Sequence, residues 1–94
     1  MPMYLMLTTL TEKGIQTLHA NPDRLREVNR DVEEMGAKVV HQWAALGEYD
    51  FVNIVEAPDN GAMARASIEL GKRGTMRIET MPAIAIDEFI EMLK

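Results

Sequence analysis

The apolar residues follow two different repeats along the chain, and the changes from one repeat to the other mark the predicted elements. An extended apolar run predicts a strand over Met3–Thr9, followed by a capped helical turn over Thr11–Leu18. The segment Asn21–Asp23 then combines a side-chain cap with a proline in the first turn, which predicts that a longer helix begins there. Gly36 is expected to end that helix in the left-handed conformation.

The second half of the chain contains three further strand patterns and two helical ones. A short glycine-containing segment, Gly47–Asp50, separates the first two strands and predicts a hairpin. Pro82 lies late in the last strand and favours an edge position for it. The predicted elements are strands over Ala37–Leu46, Phe51–Ala57 and Thr75–Ala83, a helix from Asp59 or Asn60 to about Leu70, and a short amphipathic helix over Ile86–Leu93.

This order of elements predicts an α+β protein with the ferredoxin-like split βαβ fold, β-α-β-β-α-β, and a short C-terminal helix. Two helices would cover one face of a four-stranded antiparallel sheet. The length of 94 residues fits a single domain over residues 1–94.

The second face of the sheet is the informative one. Alternate residues of a strand point to opposite faces, and here both sets of alternate residues are rich in apolar side chains. We assign to the helix-covered face Met3, Leu5, Leu7, Val40, Ala44, Val52, Ile54, Met76 and Ile78. The uncovered face then holds Tyr4, Met6, Thr8, Val39, His41, Trp43, Phe51, Asn53, Val55, Arg77, Glu79 and Met81. Such a face is too apolar for water, which predicts a homodimer, or a higher oligomer, whose sheets pack as a dimeric α/β barrel.

Composition and charge remove several functional classes. The formal net charge of −5 disfavours binding to nucleic acid or to a membrane surface. The chain has no cysteine, no apolar run long enough to span a bilayer and no basic leader, so we expect a cytoplasmic protein. His19 and His41 lack the spacing of a zinc site, and neither a metal nor a cofactor is expected.

Six residues are candidates for a ligand site between the sheets or at the hairpin end: Tyr4, His41, Trp43, Tyr49, Asp50 and Arg77. Arg77 would anchor a carboxylate or phosphate, because a guanidinium binds two oxygens at once. Glu79 lies two residues further on the same strand face and could pair with Arg77. The alternative for the hairpin residues is turn chemistry, and for His41 it is a buried histidine bonded to a neighbour.

The hairpin segment also carries a resemblance to a known family. The stretch Leu46–Val52 before Ile54–Asp59, together with Met3–Thr8, the turn Thr11–Gly14 and Thr80, resembles the GYD family over nearly the whole chain. Glu48 stands between the glycine and the tyrosine, so the signature is Gly-x-Tyr-Asp here. The resemblance implies a dimeric α/β barrel. A looser similarity to the effector-binding domains of leucine-responsive-type regulators implies the same strand order.

Three functional hypotheses follow. The leading one is a small homodimeric binding or regulatory protein that holds a small molecule between the sheets. The alternative, suggested by other members of the barrel superfamily, is a cofactor-independent or haem-dependent monooxygenase with His41 as the base or iron ligand and with Trp43 and Asn53 shaping the cavity. The third is a purely structural interaction protein with a closed interior.

Overall fold

A computed structural model describes residues 1–94 and has the predicted order of strands. Four antiparallel strands form one sheet in the order β2-β3-β1-β4, so the ferredoxin-like fold is confirmed and β4 is an edge strand, as Pro82 indicated. The elements are β1 Met3–Leu10, α1 Glu12–Ala20, α2 Arg24–Glu34, β2 Lys38–Ala44, β3 Phe51–Glu56, α3 Asn60–Gly71, β4 Met76–Ala83 and α4 Ile86–Met92. No helix in the structure is both long and apolar enough to cross a bilayer.

Side chains and backbone geometry set the helix boundaries. The backbone N–H of Gly14 donates to Thr11 Oγ1 at 3.1 Å, and that of Ala62 donates to Asp59 Oδ1 at 2.8 Å, so both predicted caps are present. Gly36 has a φ of +90° and ends the second helical segment as expected. The side-chain cap predicted at Asn21 is wrong, since only its backbone carbonyl accepts, from the N–H of Arg24 at 3.0 Å.

The face of the sheet that packs on the helices differs from the sequence prediction. On β1 and β3 the helix-covered side chains are Tyr4, Met6, Thr8, Phe51, Asn53 and Val55, all of which were assigned to the uncovered face. Five of these six are buried, and Tyr4, Met6 and Val55 belong to one core with the α2 and α3 residues Val32, Met63, Ala66 and Leu70. The assignment was wrong for these two strands because both sets of alternate residues are apolar, so periodicity alone does not select the covered face.

The polar members of this core are satisfied within it. Tyr4 donates its hydroxyl hydrogen to Asn60 Oδ1 at 2.6 Å, which ties the centre of the sheet to the start of α3. Asn53 donates to the carbonyl of Met6 at 2.9 Å and accepts from Gln42 Nε2 at 2.8 Å. No buried side-chain polar atom lacks a partner, so Asn53 and Tyr4 need no ligand to explain their burial.

The other two strands follow the prediction more closely. On β4, Met76 and Ile78 face the helices while Arg77, Glu79 and Met81 face the other way, as predicted. On β2 the pairing with β3 shifts between Val39 and His41, so that Val40 is an extra residue. This irregularity places Val39 on the helix side, against the prediction, and leaves His41 and Trp43 on the uncovered side.

Candidate functional site

The uncovered side of the sheet, which we call the open face, is apolar across its centre. Leu5 of β1 pairs with Ile54 of β3 and with Met81 of β4, so these three side chains lie in one row. The open-face side chains are Met3, Leu5, Leu7, Thr9, Lys38, His41, Trp43, Val52, Ile54, Glu56, Arg77, Glu79, Met81 and Ala83. Trp43 is 54% exposed at one edge of this surface. The prediction of an apolar second face therefore holds with a different membership, since the larger aliphatic residues replace Tyr4, Met6, Phe51 and Val55.

A hairpin turn connects β2 to β3 at one end of the open face, and its aspartate is occupied by the backbone. The N–H of Leu10 donates to Asp50 Oδ2 at 2.7 Å, and the N–H of Asp50 donates to the carbonyl of Thr8 at 2.9 Å. Gly47 has a φ of +117°, a conformation that favours glycine. The glycine and the aspartate of the signature thus hold the hairpin against the end of β1.

The tyrosine of the same hairpin points across the end of the open face to β4. Its hydroxyl donates a hydrogen bond to the carboxylate of Glu79. This bond, with smaller contributions from desolvation and from Glu48, raises the pKa of Tyr49 to about 12. Glu79 therefore pairs with Tyr49, where the sequence suggested Arg77 as its partner.

A shallow cleft of about 340 Å³ lies beside this hydrogen bond. Its lining is formed by Leu7, Thr9, Glu48, Tyr49, Arg77, Ile78 and Glu79. Arg77 makes no ion pair within the chain, so its guanidinium is free to meet an acidic group from outside.

The six sequence-predicted site residues fall into three groups. Tyr49 and Arg77 share the cleft, and Asp50 lies at the base of the same hairpin. His41 and Trp43 stack on each other at the exposed edge, with ring centroids 5.4 Å apart. Tyr4 is only 2% exposed beneath the helices, so its placement on the open face is wrong. The exposure of the C-terminal helix was not predicted, although its amphipathic pattern is visible in the sequence.

Replacing Glu79 by glutamine is expected to lower the pKa of Tyr49 from about 12 toward its ordinary value of 10.0. The neutral amide no longer opposes ionisation of the phenol across the hydrogen bond. Since the folded-state pKa lies above the unfolded one, the bond stabilises the fold fully below pH 10 and loses this effect as the pH rises through about 12. A near-UV absorbance titration measures the phenolate, and Tyr49→Phe assigns the step. An unchanged pKa in Glu79→Gln contradicts the assigned cause.

These observations define a ferredoxin-like protein with one apolar open face and a Gly-x-Tyr-Asp hairpin at its end. The sequence profile of the GYD domain matches residues 4–93, so the chain belongs to the GYD family. A Thermus thermophilus protein named "Glutamine synthetase and cystathionine beta-lyase binding protein" is 46% identical over 95 residues, which cover the whole of both chains.

Two solved structures share the fold. One is the crystal structure of FFRP-DM1, with a TM-score of 0.60 and 22% identity, covering 89% of this chain and 100% of that one. The other is a protein of Thermus thermophilus with a TM-score of 0.57 and 20% identity, covering 90% of this chain and 95% of that one. At these identities the likeness establishes the fold alone.

Proposed function

We propose that this chain is a small homodimeric regulatory protein that acts by binding other proteins, with glutamine synthetase as the first candidate partner. The observation that carries the proposal is the identity of 46% to a relative whose name states that it binds glutamine synthetase and cystathionine β-lyase. Because that identity covers 100% of both sequences, we expect the residues by which the relative binds to have counterparts here.

The helix side of the sheet leaves no room for a buried metabolite. The space between the sheet and the helices amounts to about 50 Å³, and it is lined mainly by apolar side chains. A ligand pocket typically encloses about 300 to 1,000 Å³, whereas one water occupies about 30 Å³. The helix side of the sheet is therefore packed nearly shut, and binding falls to the outer surfaces.

Self-association through the open face is the second part of the proposal. Leu5, Leu7, Val52 and Ile54 are only partly covered within one chain, and together with Met81 they form one contiguous surface. Burying one large aliphatic side chain contributes about 1.5 to 3 kcal/mol. Several such residues on one face exceed what exposed ion pairs supply, so a second copy is expected to cover them.

The binding proposal predicts that immobilised chain captures glutamine synthetase and cystathionine β-lyase prepared from the same organism. We expect a dissociation constant of about 1 µM or tighter for at least one of them, since a regulator must bind at ordinary enzyme concentrations. Biolayer interferometry measures the affinity, and an unrelated acidic enzyme is the control. Assays of each enzyme with saturating chain then measure regulation. Failure to bind either enzyme at tenfold higher concentration contradicts the proposal.

A small anionic ligand in the hairpin cleft is a second candidate, supported by the free guanidinium of Arg77 beside a cleft of about 340 Å³. A thermal shift with small carboxylates that is lost in Arg77→Ala supports this candidate, and no shift with any of them removes it. The monooxygenase hypothesis has no comparable support, because His41 stacks on Trp43 and lines neither this cleft nor the buried cavity.

A further inference from the structure

The last ten residues before the C-terminal lysine, Ile84–Leu93, form a segment that we call the C-terminal arm. Every residue of the arm is exposed, including Leu93 at 72%, and α4 contains no buried side chain. The hydrogen bonds of α4 and its flanking residues run within the segment itself.

The arm has an apolar stripe whose side chains all remain exposed, from 43% at Phe89 to 72% at Leu93. Ile86, Phe89, Ile90 and Leu93 recur at steps of three and four, which places them on one side of the helix. Asp87, Glu88 and Glu91 occupy the other side. This arrangement is typical of a helix that packs one side on a surface and presents the other to water.

The length of α4 also requires a supporting surface. The helix has seven residues, and isolated helices shorter than about 12 to 15 residues are marginal in water. No side chain of α1, α2 or α3 packs on α4 closely enough to bury any of its residues. Packing within the chain therefore adds little to the stability of this helix, and a surface outside the chain would add more.

We propose that the C-terminal arm packs against a second copy of this chain and clasps the dimer. The inference rests on the self-association proposed above and names the segment that completes it. In a two-fold symmetric pair the arm of each copy packs on the other copy. Both apolar stripes are then covered, and no further copy is needed.

The area of the open face supports this partner. Four strands about 4.8 Å apart and about seven residues long present a face of about 440 Å². A stable interface buries roughly 800 Å² on each partner, so the sheet alone supplies about half. The seven-residue helix of the arm is about 10 Å long and about 10 Å wide, and one arm given plus one received adds roughly 200 Å² per copy. Sheet and arm together approach the area that a stable dimer needs.

Hydrogen–deuterium exchange of the full chain at several concentrations tests the clasp. We expect amides of the C-terminal arm to be protected in the dimer and to lose protection upon dilution, in step with dissociation. Protection that does not change with concentration shows that the arm docks on its own chain and overturns the inference. An unprotected arm in a chain that is dimeric also overturns it, while the proposed dimer stands. A chain that is monomeric at every concentration overturns both proposals.

A pair of matched variants provides the second test. Phe89→Gln with Ile90→Gln removes the centre of the stripe, and Asp87→Gln with Glu88→Gln places the same residues on the opposite side of the same helix. We expect the first variant to weaken the dimer by about tenfold to a hundredfold and the second to leave it within about twofold. Circular dichroism verifies that both remain folded. If the stripe variant dimerises normally but fails to capture glutamine synthetase, the arm belongs to the enzyme interface and the clasp is wrong.

Discussion

Replacing Leu5 by lysine is expected to convert the proposed dimer into a monomer at micromolar concentration while the chain remains folded. Leu5 lies on a central strand of the open face, between Ile54 and Met81, so it would lie within the interface. Two-fold symmetry introduces the ammonium group twice at the centre of the apolar row, and each would lose water upon association. We expect the dissociation constant of the dimer to rise by about 100-fold or more, measured by analytical ultracentrifugation.

The matched control for this variant is Ile68→Lys. Ile68 is 70% exposed on α3, on the helix side of the molecule, and the substitution introduces the same charge at a large aliphatic residue. Its dissociation constant should remain within about threefold of the wild-type value, since surface changes away from the interface have small effects. An equal rise of the dimer dissociation constant in both variants would indicate a general effect of charge and would place the interface elsewhere.

Gly14→Ala is expected to lower the free energy of unfolding by about 3 kcal/mol, which corresponds to a fall in Tm of roughly 10 to 20 °C. A Cβ at this position would clash with the carbonyl oxygen of Thr75, so the backbone must move. The same junction carries hydrogen bonds from the N–H of Thr11 to that oxygen at 3.1 Å and from Thr11 Oγ1 to the carbonyl of Gly74 at 2.6 Å. The methyl group would therefore disturb the packing of α1 on the start of β4.

Gly71→Ala separates this steric effect from the general effect of replacing glycine. Gly71 ends α3, a Cβ added there would have no heavy atom within 4 Å, and its φ is not positive. Its replacement should leave stability unchanged or raise it by about 0.5 kcal/mol, because alanine favours the helix. Thermal unfolding by differential scanning calorimetry compares the two. A similar loss of unfolding free energy in both variants would contradict the steric effect expected from the close approach of Gly14 to the carbonyl of Thr75.

The order of elements and their ends could be predicted because they depend on local chemistry. Thr11 and Asp59 cap helices through their own side chains, and Gly36 adopts a conformation that favours glycine. The cap expected at Asn21 did not form, since a backbone turn satisfies the same amides. Both kinds of cap are compatible with that segment, so residue preference does not decide between them.

The covered face of the sheet could not be predicted because the decisive partners come from other elements. Asn53 and Thr8 were assigned to the uncovered face, yet Asn53 is buried beneath the helices, bonded to the Met6 carbonyl and to Gln42. Tyr4 is buried because Asn60 accepts its hydroxyl hydrogen from a distance of 56 residues. Such pairings depend on the tertiary arrangement, whereas periodicity gives only the alternation of faces.

The candidate site was predictable in its location and less so in its contacts. The Gly-x-Tyr-Asp segment indicated a hairpin with a tyrosine near its tip, and Arg77 lies in the cleft beside it. The bond from Tyr49 to Glu79 depends on the pairing of β1 with β4, which sets Leu7 opposite Glu79. The sequence alone contains no signal for that register.

The central claim is that a second copy of the chain covers the open face, and sedimentation equilibrium of the unmodified protein at micromolar concentration tests it most directly. We expect a mass that is twice the 10.6 kDa of one chain, or a higher multiple of it. A single species of 10.6 kDa across the whole concentration range would contradict the claim.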